Sequence, residues 1–176
     1  MSGARAVFLD RDGVLNQIVE RDGRVESPRT LAEFRLAPGA RDAVLRLREA
    51  GLAALVVTNQ PDIARGLLPA DVLDGINTRL RDDVGVDDIR VCPHEDVDAC
   101  QCRKPRPGML HELATRWGID LERSYMVGDT WRDMAAGRNA GCTTVLVRTA
   151  YNGDANGDIE VDSVEEAAAW IVGESI

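Results

Sequence analysis

Short apolar runs alternate along this chain with longer segments whose apolar residues recur at helical spacing. Ala6-Val7-Phe8-Leu9, Leu52 to Val57, Ile89-Arg90-Val91, Tyr125-Met126-Val127 and Thr144 to Val147 read as strands. Helices are predicted over Ala40 to Ala50, closed by Gly51, over Pro69 to Asp82, over Pro107 to Trp117, closed by Gly118, over Trp131 to Asn139, before Ala140-Gly141, and over Ser163 to Val172. Val14 to Arg35 is polar and irregular, and Asp22-Gly23 inside it is a turn signal, so a β-hairpin flap is expected over about 14–35. Strands alternating with helices imply right-handed βαβ units. The predicted fold is α/β: a three-layer sandwich on a parallel, Rossmann-like sheet, one domain over 1–176.

Composition narrows the class. With 44% hydrophobic and 29% charged residues, 176 residues suffice for one sizeable core. No apolar stretch approaches the roughly 20 residues of a membrane helix, and Met1 to Arg5 leads straight into a strand. A cytoplasmic protein without a membrane partner is expected. The net charge of -9 leaves no cation excess for a phosphate backbone, which excludes nucleic acid as an expected partner. Arg65, Arg103, Lys104 and Arg106 instead lie near the chemical motifs, as a small anionic metabolite would require. A monomer is expected.

The chemistry concentrates at strand ends, where open α/β sheets bind ligands. Asp10-Arg11-Asp12-Gly13 follows the first strand, and residues two apart on extended backbone point the same way. One carboxylate can then act as nucleophile or metal ligand while the other moves protons. Thr58-Asn59-Gln60 ends the second strand, and Gly128-Asp129 ends a later one, with Asp133 following. Arg103-Lys104-Pro105 lies between them. Separately, Cys92-Pro93-His94 and Cys100-Gln101-Cys102 offer three thiolates and an imidazole, a closed set suited to structural zinc in a loop over 92–103. Cys142 lies outside that pattern and reads as a small core residue.

This ordered set resembles the haloacid dehalogenase (HAD) superfamily of phosphotransferases, whose motifs are Asp-x-Asp, Thr/Ser, Lys and Gly-Asp-x-x-x-Asp; the likeness runs from about Val7 to Thr149. The resemblance implies a capless hydrolase, since the intervals from Asp10 to Thr58 and from Thr58 to Lys104 are consumed by the elements above. It implies that Asp10 is the nucleophile, Asp12 the general acid and base, and that Thr58 and Asn59 bind phosphoryl oxygens while Lys104 offsets charge. Magnesium would be held by Asp10, the Asp12 carbonyl and Asp129. Asp133 would serve as a helix N-terminal charge partner or, preferably, orient Lys104.

Phe8 to Gly13, Ile63-Ala64-Arg65-Gly66, Cys102 to Met109 and Val145 to Thr149 are similar to the phosphatases of D-glycero-D-manno-heptose 1,7-bisphosphate, which act at C7. Histidinol-phosphate phosphatases share the Asp-Arg-Asp-Gly and zinc-loop phrases. The first resemblance implies a bisphosphate whose second anion meets Arg103 or Arg65; the second implies an amine met by Glu20 or Asp62. A silent binding module on the same fold would have lost one of Asp10, Asp12, Lys104 or Asp129, and all are present. Three places depart from the heptose pattern: Ile18 to Arg21 in the flap, Gln60-Pro61-Asp62, and Thr130 where a lysine is common.

Overall fold

All four residues of the first strand, Ala6–Leu9 (β1), are completely buried, as expected of a strand covered on both faces. In the computed structural model, which describes residues 3–174, β1 lies inside a six-stranded sheet. Its partners are Ala53–Asn59 (β4), Asp88–Cys92 (β5), Tyr125–Gly128 (β6), Thr143–Val147 (β7) and Ile159–Val161 (β8). The strand order is β5-β4-β1-β6-β7-β8, and every pair is parallel.

Alternation along β1 divides the core. Val7 and Leu9 face one layer with Val44 and Leu47 of Ala40–Glu49 (α1), Ile76 and Leu80 of Ala70–Val84 (α2), and Ile171 of Val164–Glu174 (α5). Phe8 faces the other with Met109 and Leu113 of Gly108–Trp117 (α3) and Ala136 of Trp131–Ala140 (α4). Helices thus cover both faces, the three-layer arrangement that the alternating pattern predicts.

β4 and β5 extend the sheet to one side of β1, whereas the chain then returns to lay β6 on the other. This reversal opens a crevice at the carboxyl ends of β1 and β6, where an open α/β sheet places its site. The predicted flap contains a hairpin, Val19–Arg21 (β2) with Arg24–Glu26 (β3). Its turn residues Asp22 and Gly23 both have positive φ, 51° and 72°, the two-residue geometry that such a pair favours.

Two differences from the sequence reading are local. β8 was not expected: its three residues sit between Asp158 and Asp162, too short a run to stand out. α2 continues to Val84, where Gly85 at φ 82° provides a left-handed end. No helix among the described residues is long and apolar enough to cross a membrane.

Candidate active site

Asp10 and Asp129 emerge side by side from β1 and β6, and Lys104 reaches them from the loop ahead of α3. The Lys104 ammonium donates to Asp10 Oδ1 at 2.9 Å, to Asp133 Oδ1 at 2.6 Å and to the Val57 carbonyl at 2.7 Å. Burial opposes a charged lysine here, but the flanking carboxylates of Asp10 and Asp133 outweigh it and hold the ammonium protonated beyond its ordinary range. Asp133 fills both anticipated roles. Its Oδ1 fixes Lys104, while Oδ2 accepts the Thr130 amide at 3.0 Å and hydroxyl at 2.7 Å, capping the N-terminus of α4.

One lysine does not neutralise three buried acids. Burial, followed by the charge of Asp133, pushes Asp10 up to about 7, and burial with Asp10 and Asp133 pushes Asp129 up to about 9. Carboxylate oxygens of Asp10, Asp129 and Asp133 lie within 4.8 Å of one another. Asp129 Oδ1 is buried without a hydrogen-bond partner. An excess of hard oxygen donors, one of them unsatisfied, fits a magnesium ion.

Asp12 faces a different environment. Its carboxylate accepts from Arg11 Nη2 at 3.0 Å, Asn16 Nδ2 at 2.9 Å, the Ser27 hydroxyl at 2.7 Å and Gln60 Nε2 at 2.7 Å. Burial alone would raise its pKa; Arg11 and these donors outweigh burial and hold it below the usual range. Arg11 itself is completely buried, its second Nη donating to Asn77 of α2 at 3.0 Å. Sequence reading placed Gln60 among the strand-end residues but gave Arg11 and Ser27 no part.

Thr58 is completely buried, and its hydroxyl oxygen accepts from Gln60 Nε2 at 2.9 Å. Asn59 lines the cavity and brackets the Lys104 backbone: Nδ2 donates to the Lys104 carbonyl and Oδ1 accepts its amide, both at 3.1 Å.

The four predicted zinc donors converge. Cys92 ends β5, and its Sγ lies 3.7 Å from Cys100 Sγ, 3.2 Å from Cys102 Sγ and 3.5 Å from His94 Nδ1. Tetrahedral zinc with Zn–S bonds near 2.3 Å requires sulfur separations of about 3.8 Å, so a small outward relaxation accommodates the ion. Burial pushes the Cys92 thiol up to about 12, a group that only a cation would hold as thiolate.

Above the acids opens a cavity of about 450 Å³ whose walls include Ile18 and Ser27 from the flap, Arg29, Arg65, Arg103, Trp131, Arg132 and Tyr151. Arg65 lies against two acids, Glu95 and Asp62. Arg103 donates Nε to Asp96 at 2.7 Å and Nη1 to the His94 carbonyl at 3.1 Å, which ties it to the zinc loop. Arg132 shares Asp96 at 3.2 Å, while its buried Nε has no partner and its guanidinium lies 5.0 Å from the Trp131 ring centre. Arg132, Tyr151 and the Arg29–Asp62 pair were all missed in the sequence.

Residues 101–172 match the HAD-hydrolase-like family model. The D-glycero-beta-D-manno-heptose-1,7-bisphosphate 7-phosphatase of Pseudomonas aeruginosa is 40% identical over 150 residues, which cover 81% of this chain and 80% of that protein. The chain belongs to the HAD-like hydrolases. Among them, the equally named enzyme of Yersinia pestis is 38% identical across 95% of this chain and 89% of its own length. The crystal structure of D,D-heptose 1,7-bisphosphate phosphatase from B. bronchiseptica, complexed with magnesium and phosphate, superposes with a TM-score of 0.85 at 33% identity, covering 97% of this chain and 99% of that one. At the rim, the Thr130 hydroxyl donates to Asp133 Oδ2 at 2.7 Å, and Arg132 lines the cavity.

Proposed function

We propose that the chain, working as one catalytic domain, is a magnesium-dependent phosphatase of D-glycero-D-manno-heptose 1,7-bisphosphate that removes the C7 phosphate. The observation that carries the reaction class is the buried constellation of Asp10, Lys104, Asp129 and Asp133 with its unpartnered Asp129 oxygen. The substrate reading draws on the names of the relatives and on the rim arginines.

Asp10 provides the attacking carboxylate oxygen. A bond forms to phosphorus, the bond to the sugar oxygen breaks, and an aspartyl-phosphate results. Asp12 protonates the departing oxygen, then takes a proton from the water that releases phosphate and regenerates Asp10. Because four side chains hold Asp12 ionised in the resting site, Asp12 takes up its first proton from solvent as substrate enters and disturbs those donors, of which Ser27 lines the cavity. Lys104 offsets the charge on the phosphoryl group and fixes the attacking carboxylate, with Thr58 and Asn59 shaping the phosphoryl end. Asp10, the Asp12 carbonyl and Asp129 would hold magnesium, which would neutralise the phosphoryl oxygens. Zinc on Cys92, His94, Cys100 and Cys102 shapes the loop that presents Arg103 and Lys104.

The reacting phosphate is gripped in a way common to all phosphate esters, so selectivity rests on the rim. Arg103 and Arg132 share a single acid, Asp96, and retain charge for a distal phosphate. Arg65 is already offset by Glu95 and Asp62 and contributes less. Asp62, an expected partner for a substrate amine, is occupied by Arg29 Nε at 2.7 Å, which disfavours histidinol phosphate. The test is to compare kcat/KM for the heptose bisphosphate, its monophosphate and histidinol phosphate, in wild type and Arg103→Ala. The bisphosphate should lead, and Arg103→Ala should penalise it selectively. Asp10→Asn should lower turnover at least a thousandfold, roughly 4 kcal/mol of transition-state stabilisation. A wild-type preference for histidinol phosphate would overturn the substrate, and a nearly active Asp10→Asn the mechanism.

A further inference from the structure

The loop after β7 places a phenol against the acid at the end of β6. Tyr151 donates its hydroxyl to Asp129 Oδ2 at 2.6 Å. The adjoining Asn152 holds the same residue by its backbone, its Nδ2 donating to the Asp129 carbonyl and, at 3.3 Å, to the Val147 carbonyl. Asp129 is therefore held at two points, its carboxylate by Tyr151 and its backbone carbonyl by Asn152. Its other oxygen, Oδ1, is buried and unpartnered within the Asp10–Asp129–Asp133 group.

Gly13 shows how closely this corner is built. A Cβ at that position would lie 2.0 Å from Asp129 Oδ2 and 2.6 Å from the Tyr151 hydroxyl, and the backbone there has φ 84°. The glycine behind the two catalytic acids thus makes room for the hydrogen bond as well as for the turn. Asp129 Oδ2 meets Tyr151 on one side and the Gly13 backbone on another, so the carboxylate has little freedom to rotate.

From these contacts we infer that Tyr151 is a positioning residue for the metal site: its hydroxyl occupies Asp129 Oδ2 and thereby aims Oδ1 at the cation. The inference rests on the magnesium reading above. Groups behind metal ligands that fix their orientation typically change affinity 10- to 100-fold when removed. A donor on Oδ2 also withdraws some charge from the ligand, an opposing effect, but the loss of a fixed direction dominates where the oxygen is buried.

Tyr151→Phe tests this, because it deletes the hydroxyl and keeps the ring. Binding of Mn²⁺ alone to the zinc-loaded protein, followed by loss of the free-ion electron paramagnetic resonance signal, should weaken about tenfold in Tyr151→Phe. Turnover should fall at low Mg²⁺ and recover as Mg²⁺ is raised, a rescue that a purely structural or substrate-contact role would not give. The melting temperature of the zinc-loaded protein without Mg²⁺ or Mn²⁺ should stay close to wild type. Mn²⁺ affinity within twofold of wild type would overturn the positioning role. Failure of the wild-type protein to bind Mn²⁺ would instead overturn the metal reading itself, and the two results are distinct.

Discussion

Replacing Lys104 by methionine keeps most of the side-chain volume and removes the one ammonium among Asp10, Asp129 and Asp133. Lys104 is 2% exposed, and Asp133, its partner at 2.6 Å, is 1% exposed. Breaking a buried pair by deleting one member costs about 3–5 kcal/mol, because the remaining charge is stranded away from water. For a domain of this size each kcal/mol lowers the melting temperature by about 2–4 °C. Lys104→Met should therefore melt roughly 6–20 °C lower at neutral pH in magnesium-free buffer. The double-mutant cycle with Asp133→Asn isolates the pair: once Asp133 is neutral, removing Lys104 should cost about 2 kcal/mol less. Urea unfolding of the four proteins supplies the measurement. A loss below about 1 kcal/mol in Lys104→Met, or an equal loss in both backgrounds, would refute the claim that this lysine offsets the buried acids.

The acids also set a pH dependence. In metal-free protein Asp10 and Asp129 titrate near about 7 and about 9, above their unfolded values, so the stability gained by holding those protons is complete below about pH 4 and is lost as pH rises through the folded values. Magnesium replaces the protons, so its stabilising shift in melting temperature should grow from about pH 5.5 to about pH 8.5 with proton release on binding; equal shifts at both ends would contradict this. Protein purified without added zinc should contain about one equivalent of it, and Cys100→Ser should lower both zinc content and apparent affinity for the bisphosphate. Protein purified without zinc whose Cys92, Cys100 and Cys102 all react freely in the native state would argue against the zinc site.

Much of the fold was legible because strand and helix periods differ and because β1 and β6 each run straight into an aspartate and β4 ends on Thr58-Asn59. Asp10, Lys104, Asp129 and the zinc donors announce themselves by residue type and order. Arg11 and Tyr151 do not. A buried arginine beside Asp12 makes sense only once Asn77, sixty-six residues away in the chain, is brought alongside it. Tyr151 follows a strand end too, but its meaning depends on the position of Asp129 across the sheet. Thr58 illustrates the converse: its motif position was evident, whereas the capture of its hydroxyl by Gln60 follows from packing alone.

The central position of β1 also bears on how the molecule is made. Lys104 meets Asp10 across 94 positions of sequence, and the Ser124 hydroxyl receives the Ala6 amide across 118. Closing such distant pairs is slow, and parallel strands give no local shortcut. A ribosome must release Tyr151 itself before Asp129 can acquire the loop that carries it. During refolding, helical signal should accordingly return early, and turnover should return only with the late closure of β6 against β1.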